Sequence, residues 1–446
     1  MTDVSRETGL TDTQAKLEAA RCLMCEDPPC VAVCPAQVPV KHFIRAIRFD
    51  APRRAINLIR DRNVFAGVCG LACPVDELCV GACASTELST PIAIGKLQHY
   101  AAEVEFRSGR SGRPGPANGR KVAVVGAGPS GLAAAAALAR LGHLPTVLEK
   151  NRRPGGICTY GVPPHRLPQK LVAGEIEHVR SLGVRIETSA AFGENRTLDD
   201  LFAEGTEAVY VAAGLQRAAT PGIPGEDLDG VTTWKSLLDG LSAFELGDGD
   251  GPVVPHSVII IGGGSVAMDA AAAARRLGAE EIDMVCLEAP REMPACRAEL
   301  AEAWGAGVRF HTRSMPLGIT GTDGRVAGLK AVCIRWKKPD QFVPENAVPI
   351  EGTEYWLPGL MVVFAIGAKP ATGLAKALPG VKFDGGGRIV VDPETGATSR
   401  AGVFAGGDIA AGGGTTIVKA VAEGMRAAQA IDAYLLSRGG ALPTTD

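Results

Sequence analysis

The stretch that decides the fold reads Val-Ala-Val-Val-Gly-Ala-Gly-Pro-Ser-Gly-Leu over residues 122–132. A short apolar run ends in a GxGxxG pattern, and an alanine-rich segment typical of a helix follows it. The glycines permit a tight turn and a close backbone approach to a pyrophosphate, which lies at the helix N-terminus. Glu149 ends the next apolar run, where a carboxylate binds ribose hydroxyls. The stretch therefore predicts a dinucleotide-binding βαβ unit.

A second copy of this pattern begins at the apolar run 257–261 and continues through residues 262–267. Its third glycine position holds Ala267, which the fingerprint permits. The next strand, predicted over residues 282–288, ends in Glu288. A carboxylate there accepts both hydroxyls of an NAD ribose and repels the 2′-phosphate of NADP, although Arg291 lies close enough to weaken that repulsion. We therefore expect this unit to bind NAD(H) in preference to NADP(H). The alternative is that Glu288 is a solvated residue at the end of the strand.

The first unit is predicted to bind FAD, because further glycine motifs accompany it. Gly155 and Gly156 follow Glu149 closely, and a late Gly407-Asp408 pair precedes a glycine-rich turn and a helix. In two-dinucleotide flavoproteins such a late pair closes over the flavin and its ribityl chain; the alternative is a simple turn residue. The predicted cofactor-binding residues are Gly126, Gly128, Pro129, Ser130, Gly131, Glu149, Lys150, Gly155, Gly156, Ile157, Arg166, Gly263, Gly264, Ser265, Val266, Glu288, Gly367, Gly407, Asp408, Thr415 and Thr416.

Eight of the 12 cysteines lie in two groups of four near the start of the chain, and each group contains a Cys-Pro pair. Short spacings of this kind hold iron–sulfur clusters, and one cysteine of each group commonly ligates the other cluster. Zinc is an alternative, but it usually shows two CxxC pairs and only one occurs here. Buried structural thiols are another. The predicted ligands are Cys22, Cys25, Cys30, Cys34, Cys69, Cys73, Cys79 and Cys83, whereas the scattered Cys158, Cys286, Cys296 and Cys333 are predicted to be small core residues.

Composition narrows the range of partners. The 46 basic and 49 acidic residues give a net charge of −3, so we expect neither a nucleic-acid nor a membrane-surface partner. No apolar run approaches the ~20 residues that a membrane span needs. The first residues are polar, unlike a signal peptide, so we expect a cytoplasmic protein, where clustered cysteines indicate metal or redox chemistry.

These parts together indicate electron transfer. A nicotinamide gives up two electrons as a hydride, a [4Fe–4S] cluster takes one electron at a time, and a flavin converts between the two. The expected order is NADH, FAD, then two clusters. No CxxC or CxxxxC pair lies beside either glycine motif, which argues against a disulfide reductase. The clusters and the two nucleotide units occupy the whole sequence, so we expect the final acceptor on another polypeptide.

The sequence resembles the glutamate synthase small-subunit family, which includes the N-terminal half of dihydropyrimidine dehydrogenase and its separate bacterial flavin/iron–sulfur subunit. The resemblance extends from about residue 15 to the C-terminus. The stretches that carry it are residues 21–35, 69–83, 91–98, 155–168 and 403–408. The NADP-using members carry Arg or Lys where this chain has Leu287-Glu288, which supports NAD.

The resemblance also implies ligand sets and partners. It assigns Cys22, Cys25, Cys30 and Cys83 to one cluster, and Cys34, Cys73, Cys79 and Gln98 to the other, with Cys69 as the rival of Gln98. Gln98 is typical of the dihydropyrimidine branch; its alternative is a helix-surface residue. That branch implies an FMN/iron–sulfur partner subunit that interconverts uracil or thymine with the 5,6-dihydro forms. A glutamate synthase small subunit and a ferredoxin:NAD(P) oxidoreductase are the other candidates.

The predicted fold is α/β, with an all-helical domain for two clusters followed by two Rossmann-like domains. The helical domain is expected over residues 1–115, with a Gly- and Pro-rich linker at 108–119. The FAD domain is expected in two parts, 120–254 and 367–446, with the NAD(P)H domain inserted between them at 255–366.

Overall fold

A computed structural model describes residues 9–109, 112–194 and 196–438 of the chain. Residues 1–8 of the predicted helical domain, residues 110 and 111 of the predicted linker, and residues 195 and 439–446 of the predicted FAD domain lie outside this description. The architecture is α/β, as predicted: a helical N-terminal region precedes two parallel sheets. Within the described ranges, no helix has the length and apolar character needed to cross a membrane.

The N-terminal region contains helices and no strand among its described residues. Its helices form because apolar residues recur at helical spacing: Val40, Phe43, Ile44 and Ile47 make one buried face of the third helix. Most of the clustered cysteines lie in the segments between these helices. The helices are α1 (Asp12–Ala20), α2 (Pro29–Ala32), α3 (Val40–Arg48), α4 (Pro52–Arg60), α5 (Ala66–Ala72) and α6 (Ile94–Arg107), with a 3-10 turn at Ala84–Glu87.

The next region alternates strands and helices, which is typical of a parallel sheet. Its first helix begins within the first glycine motif, at Pro129. The elements are β1 (Lys121–Val125), α7 (Pro129–Arg140), β2 (Leu144–Leu148), α8 (Ile157–Tyr160), α9 (Gln169–Ser181), β3 (Arg185–Glu187), α10 (Leu198–Ala203) and β4 (Ala208–Val211).

The third region repeats this alternation and adds an antiparallel meander of long strands. Its elements are β5 (Arg217–Ala218), β6 (Val231–Thr233), α11 (Trp234–Glu245), β7 (Ser257–Ile261), α12 (Ser265–Arg276), β8 (Glu281–Val285), α13 (Arg297–Gly305), β9 (Arg309–His311), β10 (Ser314–Thr322), β11 (Arg325–Trp336), β12 (Ala347–Pro358), β13 (Met361–Phe364) and β14 (Ala368–Lys369). After it come α14 (Leu374–Ala377), β15 (Val403–Ala405) and α15 (Ile417–Arg438).

Two five-stranded parallel sheets have the same order in four of their strands. Their orders are β15-β4-β1-β2-β3 and β6-β13-β7-β8-β9, and they differ in the edge strand, because β15 follows the other four in the chain and β6 precedes them. In each sheet the strand order reverses beside the strand that carries a glycine motif. All five residues of β7 are buried, as expected for a strand covered on both faces. Ligands of such sheets bind at the carboxyl ends of the strands, where the order reverses. The fold thus brings each glycine motif to a binding position.

The chain forms two compact units. One contains residues 216–369 with the short segment 160–163, and the other contains the remaining described residues on both sides of it. The second sheet is therefore inserted within the sequence of the first unit, whose sheet is completed by β15. The meander β10-β11-β12 belongs to the inserted unit.

Candidate functional site

The turn after β1 requires glycine at two positions. Gly126 has a φ of +103°, and a Cβ there would lie 2.5 Å from the Ala212 carbonyl oxygen. A Cβ on Gly131 would lie 2.0 Å from the Gly126 carbonyl oxygen. Both glycines therefore bring backbone segments together at the carboxyl end of β1, which is the tight turn that the sequence predicts.

Gly128 has a different environment, because a Cβ there would meet nothing within 4 Å. It is the N-cap of α7, and it offers no side-chain hydrogen bond to the first N–H groups of that helix. Gly156 closes the far side: its own Cβ would lie 2.8 Å from the Gly128 Cα. This open cradle of backbone donors has the form that a pyrophosphate group requires.

Glu149 lies beside the cradle as the residue that follows β2. Its Oε2 accepts a hydrogen bond from the Ala127 N–H at 2.9 Å, and its Oε1 accepts one from the Asn151 N–H at 2.8 Å. These bonds fix a buried carboxylate at the strand end, and each oxygen retains a lone pair for a ribose hydroxyl. Lys150, next in the sequence, is exposed.

The late glycine-rich turn depends on a residue that sequence reasoning missed. Glu423, on α15, accepts the N–H of Gly407 at 2.7 Å and that of Gly414 at 3.3 Å, and so holds both ends of the turn. Burial, followed by the charge of Glu423, raises the pKa of Asp408 to about 6. The only sequence signal for Glu423 is a carboxylate within an alanine-rich helix.

The remaining first-unit predictions have mixed environments. The Ser130 hydroxyl hydrogen-bonds the Tyr210 hydroxyl at 2.7 Å, a buried partner that the sequence did not indicate. Thr416 caps α15 by accepting from the Lys419 N–H at 3.3 Å. Thr415 and Ile157 are exposed, Arg166 is partly buried, and Pro129 is the first residue of α7.

The second glycine turn repeats the geometry of the first. Gly262 has a φ of +140°, and a Cβ there would lie 2.3 Å from the Ala365 carbonyl oxygen. Gly264 is the N-cap of α12 without a side-chain cap, and its nearest neighbour would be Pro294 Cγ at 3.8 Å. Ser265 and Val266 open α12 and are partly buried. The inserted unit therefore has its own open helix N-terminus.

Glu288 lies beside this turn, but it is not the end of the strand, as the sequence predicted. Strand β8 ends at Val285, three residues before Glu288, and Cys286 takes the position that Glu149 has after β2. The Glu288 Oε2 nevertheless lies 2.9 Å from the position of a Cβ on Gly263. Burial raises the pKa of Glu288. Its carboxylate is thus next to the turn, while Arg291 is exposed.

Gly367, also predicted as a cofactor contact, lies in the inserted unit. Its φ is +118°, and its carbonyl oxygen accepts from the Trp234 Nε1–H at 3.1 Å. The same oxygen accepts from the Ala219 N–H at 3.0 Å. These bonds hold the segment that follows β13.

The variant Gly128→Ala tests the first cradle. Because the added methyl group enters open space, we expect an unchanged melting temperature of the FAD-free protein, but at least ~10-fold weaker FAD binding, a loss of about 1.4 kcal/mol. Isothermal titration of FAD into the FAD-free protein measures this loss. Gly385→Ala, whose Cβ also meets nothing, is the control and should bind FAD normally. Equal affinities for the two variants would show that the cradle does not bind FAD.

The four thiols that the resemblance assigns to the first cluster line a single pocket. Cys22, Cys25, Cys30 and Cys83 line it together with apolar side chains that include Ile44. Burial, followed by the neighbouring thiolates of Cys83, Cys22 and Cys25, raises the pKa of Cys30 to about 11. Four thiols on one largely apolar cavity are the donor set of a [4Fe–4S] cluster.

The thiols assigned to the second cluster also lie near one another. The neighbouring thiol of Cys69, followed by burial, raises the pKa of Cys73. The Cys79 and Cys34 thiolates act on Cys73 in the same direction. Burial, followed by Cys34, raises the pKa of Cys79 to about 12. The fold thus brings the last cysteine of the first sequence group to three members of the second.

Gln98 lies on α6 beside the first turn of α5. Its buried side chain donates from Nε2 to the Ala66 carbonyl oxygen at 2.7 Å, three residues before Cys69. Across residues 9–109, 112–194 and 196–438, no group of three or more His, Cys, Asp or Glu side chains is close enough to hold a single metal ion.

The four scattered cysteines form no further group. Cys158 and Cys286 are buried, and burial raises the pKa of both thiols. Cys296 and Cys333 are partly buried.

Two glycine turns at the switch points of two parallel sheets, with eight clustered thiols, define an oxidoreductase with two dinucleotide sites and an iron–sulfur region. Comparison with known families agrees. Residues 120–424 match the pyridine nucleotide-disulphide oxidoreductase family, and residues 2–110 match dihydropyrimidine dehydrogenase domain II, 4Fe-4S cluster. The chain belongs to the pyridine nucleotide-disulphide oxidoreductases, and within them to the glutamate synthase small-subunit family that the sequence predicted.

Individual relatives cover nearly the whole chain. It is 32% identical to the NADPH glutamate synthase small chain of Escherichia coli, over 95% of this chain and 92% of the relative. It is 33% identical to the E. coli NAD-dependent dihydropyrimidine dehydrogenase subunit PreT, over 95% of both chains. It is 36% identical to the NADP(+)-dependent formate dehydrogenase subunit beta of Moorella thermoacetica, but spans only 61% of that protein's length.

Solved structures support the fold alone. Mycobacterium tuberculosis FprA in complex with NADPH has a TM-score of 0.61 at 18% identity, covering 72% of this chain and 85% of that one. T. acidophilum thioredoxin reductase has a TM-score of 0.54 at 23% identity, covering 72% of this chain and all of that one. The family matches and the relatives, not these structures, identify the chain as an NAD(P)H-dependent flavin and iron–sulfur electron-transfer protein.

Proposed function

We propose that the chain is an electron-input subunit that oxidises NADH and delivers electrons through FAD and two [4Fe–4S] clusters to a partner subunit. The observation that carries this proposal is the combination, in one chain, of two open glycine cradles with two groups of four neighbouring thiols. FAD, when bound, accepts a hydride and releases single electrons, which clusters carry onward. The chain's own residues bind and orient these groups.

The choice of NADH rests on Glu288. Its carboxylate lies beside Gly263, at the turn where the ribose of the bound nucleotide is expected. Two ribose hydroxyls can donate to a carboxylate, whereas a 2′-phosphate is repelled by it. The relatives include proteins named for NAD and for NADP, so this local charge is the argument for NADH.

We propose an FMN/iron–sulfur partner that reduces uracil or thymine to the 5,6-dihydro forms. Two observations support this partner. Gln98 stands at the end of the motif 91–98, which is typical of the dihydropyrimidine branch, and the PreT relatives match this chain over nearly their whole length. A glutamate synthase large subunit is the second candidate, since that small chain is 32% identical over a similar span. A hetero-oligomer is expected in both cases.

Copurification from the native host tests this assignment. The isolated complex should reduce uracil with NADH, and the chain alone should reduce only an artificial dye. Glutamate formation from glutamine and 2-oxoglutarate by the complex, without uracil reduction, would select the second candidate and overturn the first.

We propose Gln98 Oε1 as the fourth ligand of the second cluster. Donation from Nε2 to the Ala66 carbonyl leaves the amide oxygen as the acceptor end of the side chain. We expect Gln98→Ala to change the EPR signal of one reduced cluster, and Cys69→Ala to leave both signals intact. The reverse result would assign the ligand to Cys69, whose thiol is a neighbour of the Cys73 thiol.

A further inference from the structure

Three fully or almost fully buried charged side chains meet behind α5, the helix that carries Cys69 and leads to Cys73. Arg60, at the end of α4, donates to Glu105 Oε2 on α6 from Nη2 at 2.7 Å and from Nε at 3.1 Å. Its Nη1 donates to Glu175 Oε2 on α9 and to the Val64 carbonyl. The exposed fractions of Arg60, Glu105 and Glu175 are 2%, 8% and 0%.

Glu175 also binds α5 directly. Its Oε1 accepts the N–H of Gly67 at 2.6 Å, and Gly67 is the second residue of that helix. The N-cap residue Phe65 offers no side-chain cap, so a carboxylate from another helix satisfies this free donor. Burial raises the pKa of Glu175, but both oxygens accept from N–H donors, as an ionised carboxylate does.

The contact is close enough to require glycine. A Cβ on Gly67 would lie 2.6 Å from Leu171 Cδ1 and 3.1 Å from Glu175 Oε1. On the next turn, a Cβ on Gly70 would lie 2.7 Å from the Gly95 carbonyl oxygen of α6. Helix α5 is therefore clamped between α6 and α9, and its position is set by both.

The carboxylate of Glu175 brings a negative charge close to α5. Within the trio one guanidinium lies between two carboxylates, and a further cation, Arg140, donates to the Arg60 carbonyl oxygen at 2.7 Å. Glu175 is the carboxylate that bonds α5, at Gly67, two residues before Cys69. A buried charge acts more strongly than one in water. Reduction of a cluster adds negative charge nearby, and the carboxylate of Glu175 opposes that addition.

We propose that Glu175 is a positioning residue for the second cluster: it caps α5 and holds the reduction potential of that cluster low. This inference rests on the proposed function, because it requires the cluster.

The test is an EPR-monitored redox titration of the reconstituted chain with the variant Glu175→Gln. The amide keeps an oxygen for the Gly67 N–H but removes the charge, and it leaves Arg60 and Glu105 as a balanced pair. We expect a positive shift in the potential of the second cluster and no shift in the first. The signal that persists in Cys79→Ser identifies the first cluster.

Glu177→Gln is the matched control, because it removes the same charge from an exposed position on the same helix. An unshifted second cluster, an equal shift of both clusters, or an equal shift in Glu177→Gln would overturn the inference. If Glu175→Gln fails to fold, Glu105→Gln must give a smaller positive shift in the potential of the second cluster. The absence of that shift would also overturn the inference. A wild-type chain without two cluster signals would instead refute the proposed function.

Discussion

Cys73→Ser should abolish electron delivery to the partner while leaving flavin reduction by NADH intact. Cys73 belongs to the second thiol group whichever residue is its fourth ligand, and its thiol is a neighbour of the Cys69 thiol. Loss of a direct ligand should cost more than the 10–100-fold typical of an outer-shell change, so we expect partner-linked turnover to fall by more than ~100-fold. Iron analysis should show about half the wild-type content, since one of two clusters is lost.

The control is Cys333→Ser, which changes a partly buried thiol on β11 outside both groups. It should retain full iron content and turnover. Stopped-flow absorbance separates the two steps, because flavin bleaching by NADH precedes the partner reaction. Equal turnover in Cys73→Ser and wild type would remove this cluster from the electron path.

Glu288→Arg should reverse the nucleotide preference. The substitution replaces a carboxylate beside Gly263 with a guanidinium that attracts a 2′-phosphate. A hydrogen bond to a charged group contributes about 1.5–3 kcal/mol, so we expect the ratio of kcat/KM for NADPH to that for NADH to rise ~10–100-fold. Dye reduction by the isolated chain measures both values.

Glu280→Arg makes the same charge change at an exposed residue just before β8, at the opposite end of that strand. Its nucleotide preference should match that of the wild type. If Glu288→Arg also leaves the ratio unchanged, the ribose does not lie at Glu288 and the choice of NADH loses its basis.

The sequence predicted most of the local features because each depends on neighbouring residues. Strand β7 has the bounds of the predicted apolar run, 257–261, and the strained backbone at Gly126 and Gly262 follows from the turn that joins each strand to its helix. The helix expected after the late glycine-rich turn is present as Ile417–Arg438. Such elements are determined within a few residues along the chain.

Long-range partners were beyond this reasoning. Glu423 holds the turn around Asp408 from the following helix, and Glu175 caps α5 from more than 100 residues away. Both appear in the sequence as ordinary helical glutamates. The end of β8 was also misjudged, because the apolar run continues through Cys286 and Leu287 after the strand pairing has stopped at Val285. Side-chain burial beyond a strand end looks the same in sequence as the strand itself.

The most direct measurement of the central claim is an anaerobic titration of the reconstituted chain with NADH, followed by visible absorbance and EPR. We expect NADH to bleach the FAD absorbance and to produce the signal of a reduced [4Fe–4S] cluster, in a protein containing about eight irons, four for each cluster. If NADH bleaches the flavin without any cluster signal, although dithionite produces that signal in the same preparation, the result would contradict electron transfer from NADH through FAD to the clusters.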